Sequence, residues 1–202
     1  MRGRNDILAD IRANKPKFSA PAPDVPDYDD SYPSDVSGLQ ARFIGALEKM
    51  GGVWADPETG ETLEATMRRA LTDKLDANGI IASNVPEISG NRRVRAEDTP
   101  SSLHDIDVAV LRARFGIAET GSVCFTEAEL AVNAVAYLAQ HLVVLLDPGA
   151  IETNLHRAYR RDDYINARYT VFHTGPSATA DIEGVLVHGA QGVRSLTIIP
   201  AR

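Results

Sequence analysis

The 202-residue sequence holds one cysteine, Cys124. No disulfide can therefore close within the chain, and neither a structural zinc site nor an iron–sulfur cluster can be built from its own thiols. Long apolar runs are missing as well. The longest, Leu142-Val143-Val144-Leu145-Leu146, falls far short of the roughly 20 residues that cross a bilayer. No basic segment leads into an apolar stretch at the start, so secretion is not expected and the cytoplasm is the expected location. A basic block is absent and the net charge is −7, which argues against a nucleic-acid surface. Gly-x-Gly-x-x-Gly and Gly-x-x-x-x-Gly-Lys-Ser/Thr fingerprints do not occur, which argues against a standard dinucleotide or P-loop site. His104, His156 and His173 are isolated, and no histidine pair shows metal spacing, so no metal and no cofactor are expected. His141 and His188 fall in apolar runs, where a histidine usually satisfies its nitrogens locally.

What is present suits one soluble domain with trimmings: 44% hydrophobic and 24% charged residues. Ile7, Leu8 and Ile11 place apolar side chains on one face of a short helix, Asn5 to Asn14, within a segment 1–14. Such a helix is too short to persist alone and must dock or fray. Residues 15–37 follow as an extended linker. Between Pro21 and Asp35 stand five aspartates and four prolines without a lysine or arginine, too little apolar surface to offset ordering. The remaining residues, 38–202, read as one α/β domain.

Within it, Leu39, Phe43, Ile44, Leu47 and Met50 form a helical stripe stopped by Gly51-Gly52. Leu63, Met67, Leu71 and Leu75 give a second helix, closed by Gly79. Strand patterns occur at Val53–Ala55, Ile80–Ala82, Asp107–Leu111, Ser122–Phe125, Tyr169–Phe172, Val185–Val187 and Leu196–Ile199. His141 to Leu146 reads as a strand buried on both faces. Asp147-Pro148 is expected to start a helix carrying Ile151, Leu155 and Tyr159. This alternation predicts a three-layer α/β/α sandwich with a mostly parallel sheet.

Two loops carry chemistry-bearing residues. Glu119-Thr120-Gly121-Ser122 lies where one strand pattern ends and another begins. Glycine permits close backbone approach there, and a carboxylate at a strand end is a candidate nucleophile or base. The plain alternative is a tight turn satisfying its own backbone. The second loop runs from Thr174 to Glu183. Gly175-Pro176 turns the chain, and Ser177 is a candidate N-cap with Asp181 in the first helical turn. Free N–H groups there, with the Ser177 and Thr179 hydroxyls, would receive an anion. Asp181 and Glu183 would oppose a dense anion unless a cation joined them. A capped connector is the alternative.

Gly116–Ser122, Thr174–Glu183, the strand opened by His141 and the helix from Phe43 to Gly52 together resemble, in order, the pattern of the LUD domain family of lactate-utilisation C proteins. The resemblance covers roughly residues 38–202. It departs at Leu138-Ala139-Gln140-His141, where a proline-x-x-histidine element is expected, and in the missing arginine between Glu127 and Tyr137. The resemblance implies the NagB/RpiA/CoA-transferase-like fold. It also implies a role in oxidising lactate to pyruvate as a non-redox or small-anion-binding component beside iron–sulfur subunits, with self-association left open. Glu119-Thr120-Gly121 is also similar to the glutamate-x-glycine of class I CoA-transferases. That implies an alternative, a free-standing enzyme on an acyl-CoA or phosphorylated metabolite with Glu119 as nucleophile. A ligand-binding regulatory module is the third reading. The ligand-contacting residues expected on any of these readings are Thr120, Gly121, Ser122, Thr174, Gly175, Ser177, Thr179, Asp181 and Glu183.

Overall fold

A strand with no polar face must be covered on both sides, and His141–Leu146 (β6) is buried at every position. A computed structural model describes residues 3–16, 21, 23, 24, 26, 31–182, 185–189 and 192–201 of the protein. In it β6 is the middle of a five-stranded sheet ordered β1 (Val53–Trp54), β11 (Ser195–Pro200), β6, β3 (Val108–Arg112), β2 (Ile81–Ser83). Every pair in that sheet is parallel. Alternation along β6 divides the core. Leu142, Val144 and Leu146 join Phe43 and Leu47 on one face, and Val143 and Leu145 join Met67 and Leu71 on the other.

Two helices supply those covers. The first, Val36–Lys49 (α2), follows Arg4–Ala13 (α1) and turns its Phe43–Leu47 stripe to the sheet. Asp35, the last aspartate of the acidic stretch, caps it by accepting from the Gly38 N–H at 2.9 Å. Gly51 stops it at φ 82°. The second, Leu63–Ala70 (α3), is capped by Thr62. It ends earlier than the Gly79 stop read from sequence, although Leu71 and Leu75 still pack on the same face through a turn. The result is a three-layer α/β/α sandwich with a parallel central sheet. α1 buries no residue, and Ile7 and Ile11 are 51% and 61% exposed.

A second sheet lies against the α2 face: β7 (Ile151–Glu152), β4 (Phe115–Ile117), β5 (Ser122–Thr126) and β8 (Thr170–His173). Sequence reading placed Asp107–Leu111 beside the Ala118–Gly121 turn. The structure inserts β4 there instead, pairing antiparallel with β5. β4 carries Gly116 at its centre, because a Cβ would lie 3.1 Å from both Leu146 and Phe43. Four short helices complete the domain: α4 (Glu127–Leu130), α5 (Val135–Leu138), α6 (Leu155–Ala158) and α7 (Asp162–Ile165).

Two expectations are corrected. The helix expected from Pro148 is broken. A short 3₁₀ turn, Pro148–Ala150, gives way to β7, and α6 begins afresh with Asn154 accepting from the Arg157 N–H at 3.0 Å. The Asp147 and Asn154 side chains compete with continuous helix for the backbone donors. The helix start expected at Ser177 is a strand, β9 (Ala178–Ile182), in an antiparallel hairpin with β10 (Val185–His188). Thr179, Ile182, Val185 and Val187 are β-branched, and that preference prevails over the N-cap signal of Ser177. Between the last two strand patterns a turn is expected at Gln191-Gly192, and Gln191 lies outside the described residues.

Replacing Phe43 with alanine is expected to remove about 3–5 kcal/mol from the unfolding free energy. Ile11→Ala, at an exposed position, should change it by no more than about 0.5 kcal/mol. Urea unfolding of both variants checks the assignment of α2, and not α1, to the core.

Candidate functional site

Two glycines in the left-handed region draw separate loops onto the end of α2. Gly121 has φ 66°, and a Cβ there would lie 2.2 Å from the Leu47 nitrogen. Gly175 has φ 69°, and its Cβ would lie 2.1 Å from the Met50 carbonyl oxygen. No other residue type fits either place, since both the dihedral and the space exclude a side chain. The clasp brings the Thr174 hydroxyl to those of Thr120 and Ser122, which lie far from it in sequence. Thr120 and Ser122 share a hydrogen bond at 2.7 Å, and Ser122 makes a second, short one to Thr174. Ser122 is buried beneath the other two.

Above that hydroxyl chain opens a cavity of about 620 Å³. Arg42, Gly45, Ala46, Lys49 and Met50 of α2 and its C-cap form one wall. Ala118, Glu119 and Thr120 form the other, and Thr174 closes the end. The Arg42 guanidinium sits 4.7 Å over the Tyr32 ring, a cation–π contact that holds it at the rim. Among the described residues Lys49 has no ion-pair partner. Glu119 is held at both ends. Its N–H donates to the Thr153 carbonyl at 3.1 Å, and its Oε2 accepts from the Leu155 N–H, at the start of α6, at 2.9 Å. Two cations, one anchored carboxylate and a set of hydroxyls thus face one space.

Of the residues singled out by sequence, Glu119, Thr120 and Thr174 line this cavity, Ser122 is hydrogen-bonded to both threonines, Gly121 packs on α2, and Gly175 packs on the end of α2 while lining a neighbouring cavity. Ser177 does not line the larger cavity. It lines a separate cavity of about 340 Å³ with Tyr137, His173 and Gly192, which meets the first at Thr174. Its backbone is already engaged: Ser177 N–H donates to Val193 at 2.9 Å and its carbonyl accepts from Gly189 at 2.7 Å. The helix-start anion site expected there does not form. Thr179 and Asp181 lie along β9, and Glu183 falls outside the described residues. Arg42, Gly45 and Lys49 are not among the residues singled out by sequence. Their signal is present in the helical spacing, three and seven residues on from Arg42, on the face away from Phe43 and Leu47.

The remaining titratable groups are structural. Cys124 is buried, and burial pushes its thiol up to about 12, so it stays protonated and unreactive. His141 accepts or donates through Nδ1 to Ser195 at 2.8 Å, and burial, followed by the Lys74 and Arg194 charges, lowers its pKa. His173 is 8% exposed and packs against Phe125 and Tyr137, and its Nε2 has no partner among the described residues. Burial holds its pKa down at about 4. Among the described residues no three His, Cys, Asp or Glu side chains gather as a metal site.

The layered fold and this cleft define an α/β domain with its candidate ligand site beside the central sheet and not within it. The sequence profile of the LUD domain family matches residues 49–199, and the chain belongs to that family. None of the curated proteins matches it. Among solved structures, the chain is similar to a DUF162 family protein from Deinococcus radiodurans. The TM-score is 0.61 at 14% identity, over 83% of this chain and 99% of that one. At that identity the likeness concerns the fold. Arg42 and Gly45 lie before the matched segment and Lys49 is its first residue.

The lowered His173 pKa has a definite sign. The folded chain disfavours the imidazolium, so the unfolded chain binds more protons between about 4 and the ordinary 6.5. Stability is therefore full above about pH 6.5 and falls as the pH drops toward 4, with His141 acting in the same direction. Urea midpoints of wild type should decline across that window, and His173→Phe should flatten the decline.

Proposed function

We propose that this LUD-domain protein serves lactate oxidation as a non-redox subunit that binds the small acid anion and leaves electron transfer to iron–sulfur partners. The observation that supports the reading is the cleft in which Arg42 and Lys49 face the Thr120 and Thr174 hydroxyls. A 2-hydroxy acid offers matching chemistry, a carboxylate for the cations and a hydroxyl for the hydroxyl chain. Family membership supplies the association with lactate utilisation. A lone buried cysteine cannot ligate a cluster, which commonly takes four thiolates, so the electron carriers belong to other chains.

The cleft favours one alternative enough to test it. Glu119 lines the cavity, as a CoA-transferase-type nucleophile would. The Leu155 N–H already occupies its Oε2, which is why the subunit reading comes first. A regulatory module would bind the same anion without a partner of this kind.

Titration of the purified chain with L-lactate and pyruvate is expected to show saturable binding. Arg42→Ala or Lys49→Ala should weaken it by about 1.5–3 kcal/mol, the range of a charge-assisted hydrogen bond. Wild-type affinity for neither acid would remove the reading. Incubation with acyl-CoAs and intact-mass measurement distinguishes the alternative. No covalent adduct is expected, whereas an adduct on wild type that is lost in Glu119→Gln would make the protein an enzyme in its own right.

A further inference from the structure

The cleft is far larger than a three-carbon acid requires. At about 620 Å³ it lies in the middle of the range, roughly 300–1,000 Å³, that encloses ligands of several rings. Its floor has an unusual composition for a helix. Gly45 stands in the interior of α2, where glycine is less favourable than alanine. Neither of the usual reasons for glycine applies. Its φ is not positive, and a Cβ built on it would meet nothing within 4 Å. The space above Gly45 is thus left open by this chain and belongs to the cavity. Beside it Ala46 adds only a methyl group.

Around that flat floor the polar groups are spaced for an extended molecule. Arg42 and Lys49 are seven residues apart, two helical turns, which separates their Cα atoms by about 10 Å along the axis. Across the cleft the Glu119 carboxylate is an acceptor fixed in place by Leu155, with Thr120 beside it. Met50 lines the same wall, and a methionine packs well against a ring face. We propose that the cleft binds a nucleotide. Its planar base lies over Gly45 and Ala46, its phosphate is held by Arg42 or Lys49, and its ribose hydroxyls donate to Glu119. A carboxylate receiving ribose hydroxyls is a recurring arrangement in α/β proteins. The phosphate here is met by side chains on a helix face and needs no glycine-rich loop, so the absence of the usual fingerprints does not bear on it. The inference rests on the reading that this cleft is the ligand site, and it names the larger molecule that the site takes.

The test uses the full chain, with AMP, GMP, UMP and FMN as probes, inorganic phosphate and L-lactate as comparators, and calorimetric titration as the readout. At least one nucleotide should bind more than tenfold tighter than phosphate. Gly45→Ala, which meets no neighbour, should raise the melting temperature of the ligand-free protein while weakening the nucleotide about tenfold. Gly45→Leu should abolish nucleotide binding and leave the fold intact by circular dichroism. Binding of no nucleotide, or equal binding by wild type and Gly45→Leu, overturns the proposal. If lactate still binds in that case, the small-acid reading survives alone; if nucleotide binds and lactate does not, that reading fails and this one stands. A wild-type dimer that Gly45→Leu converts to monomer, without any nucleotide effect, would assign the floor to a second copy and overturn the proposal.

Discussion

Burial of β6 on both faces is the constraint from which the rest of the architecture follows. A strand with Leu142, Val144 and Leu146 pointing one way and Val143 and Leu145 the other is stable only between two covering layers. α3 covers one side. The other receives α2 and the smaller mixed sheet, and these two covers must also fit each other. Gly116, Gly121 and Gly175 are where they fit, each at a place where a Cβ would strike Phe43, Leu47 or Met50. The cleft is the remainder of that fit. α2 turns Phe43 and Leu47 to the core and Arg42, Gly45 and Lys49 to the cavity, so one helix determines both the packing and the chemistry.

Legibility in the sequence followed the reach of the interactions. β6 was plain because its signal is continuous and local, and α2 because its stripe and its Gly51-Gly52 stop lie within one window. β4 was not seen, since Phe115-Gly116-Ile117 is three residues long with a glycine at its centre. That glycine is required by Leu146 and Phe43, which lie far away in sequence. The Pro148 helix was misread for the opposite reason. Its start signal was real, but the local caps of Asp147 and Asn154 and the pairing of β7 with β4 divided it. Of the two loops, the structure brings the one around Glu119 against the start of the other, through the Ser122–Thr174 hydrogen bond. The Ser177 segment forms no helix start, because its N–H and carbonyl are consumed by Val193 and Gly189. Arg42 and Lys49 carry no distinguishing local signal, since it is the turn opposite them, distant in sequence, that gives them a shared cavity.

Electrostatics in the cleft run against the chain as a whole. The protein carries a net charge of −7, yet two cations and one carboxylate face the cavity. Anionic ligands approaching from solvent therefore meet overall repulsion and local attraction, so affinity should come from short-range contacts more than from steering.

The strand order β1-β11-β6-β3-β2 also bears on how the chain comes off the ribosome. β1, near residue 53, has a single sheet neighbour, β11, whose last residue is Pro200. Until that segment has been translated, β1 has no edge to join. It must wait unpaired, and at about 5–20 residues per second the wait lasts several seconds or more. Closure of the sheet by such a distant pair favours slow, late completion over sequential assembly. An acidic, proline-rich stretch immediately ahead of α2 would keep the nascent chain soluble during that interval.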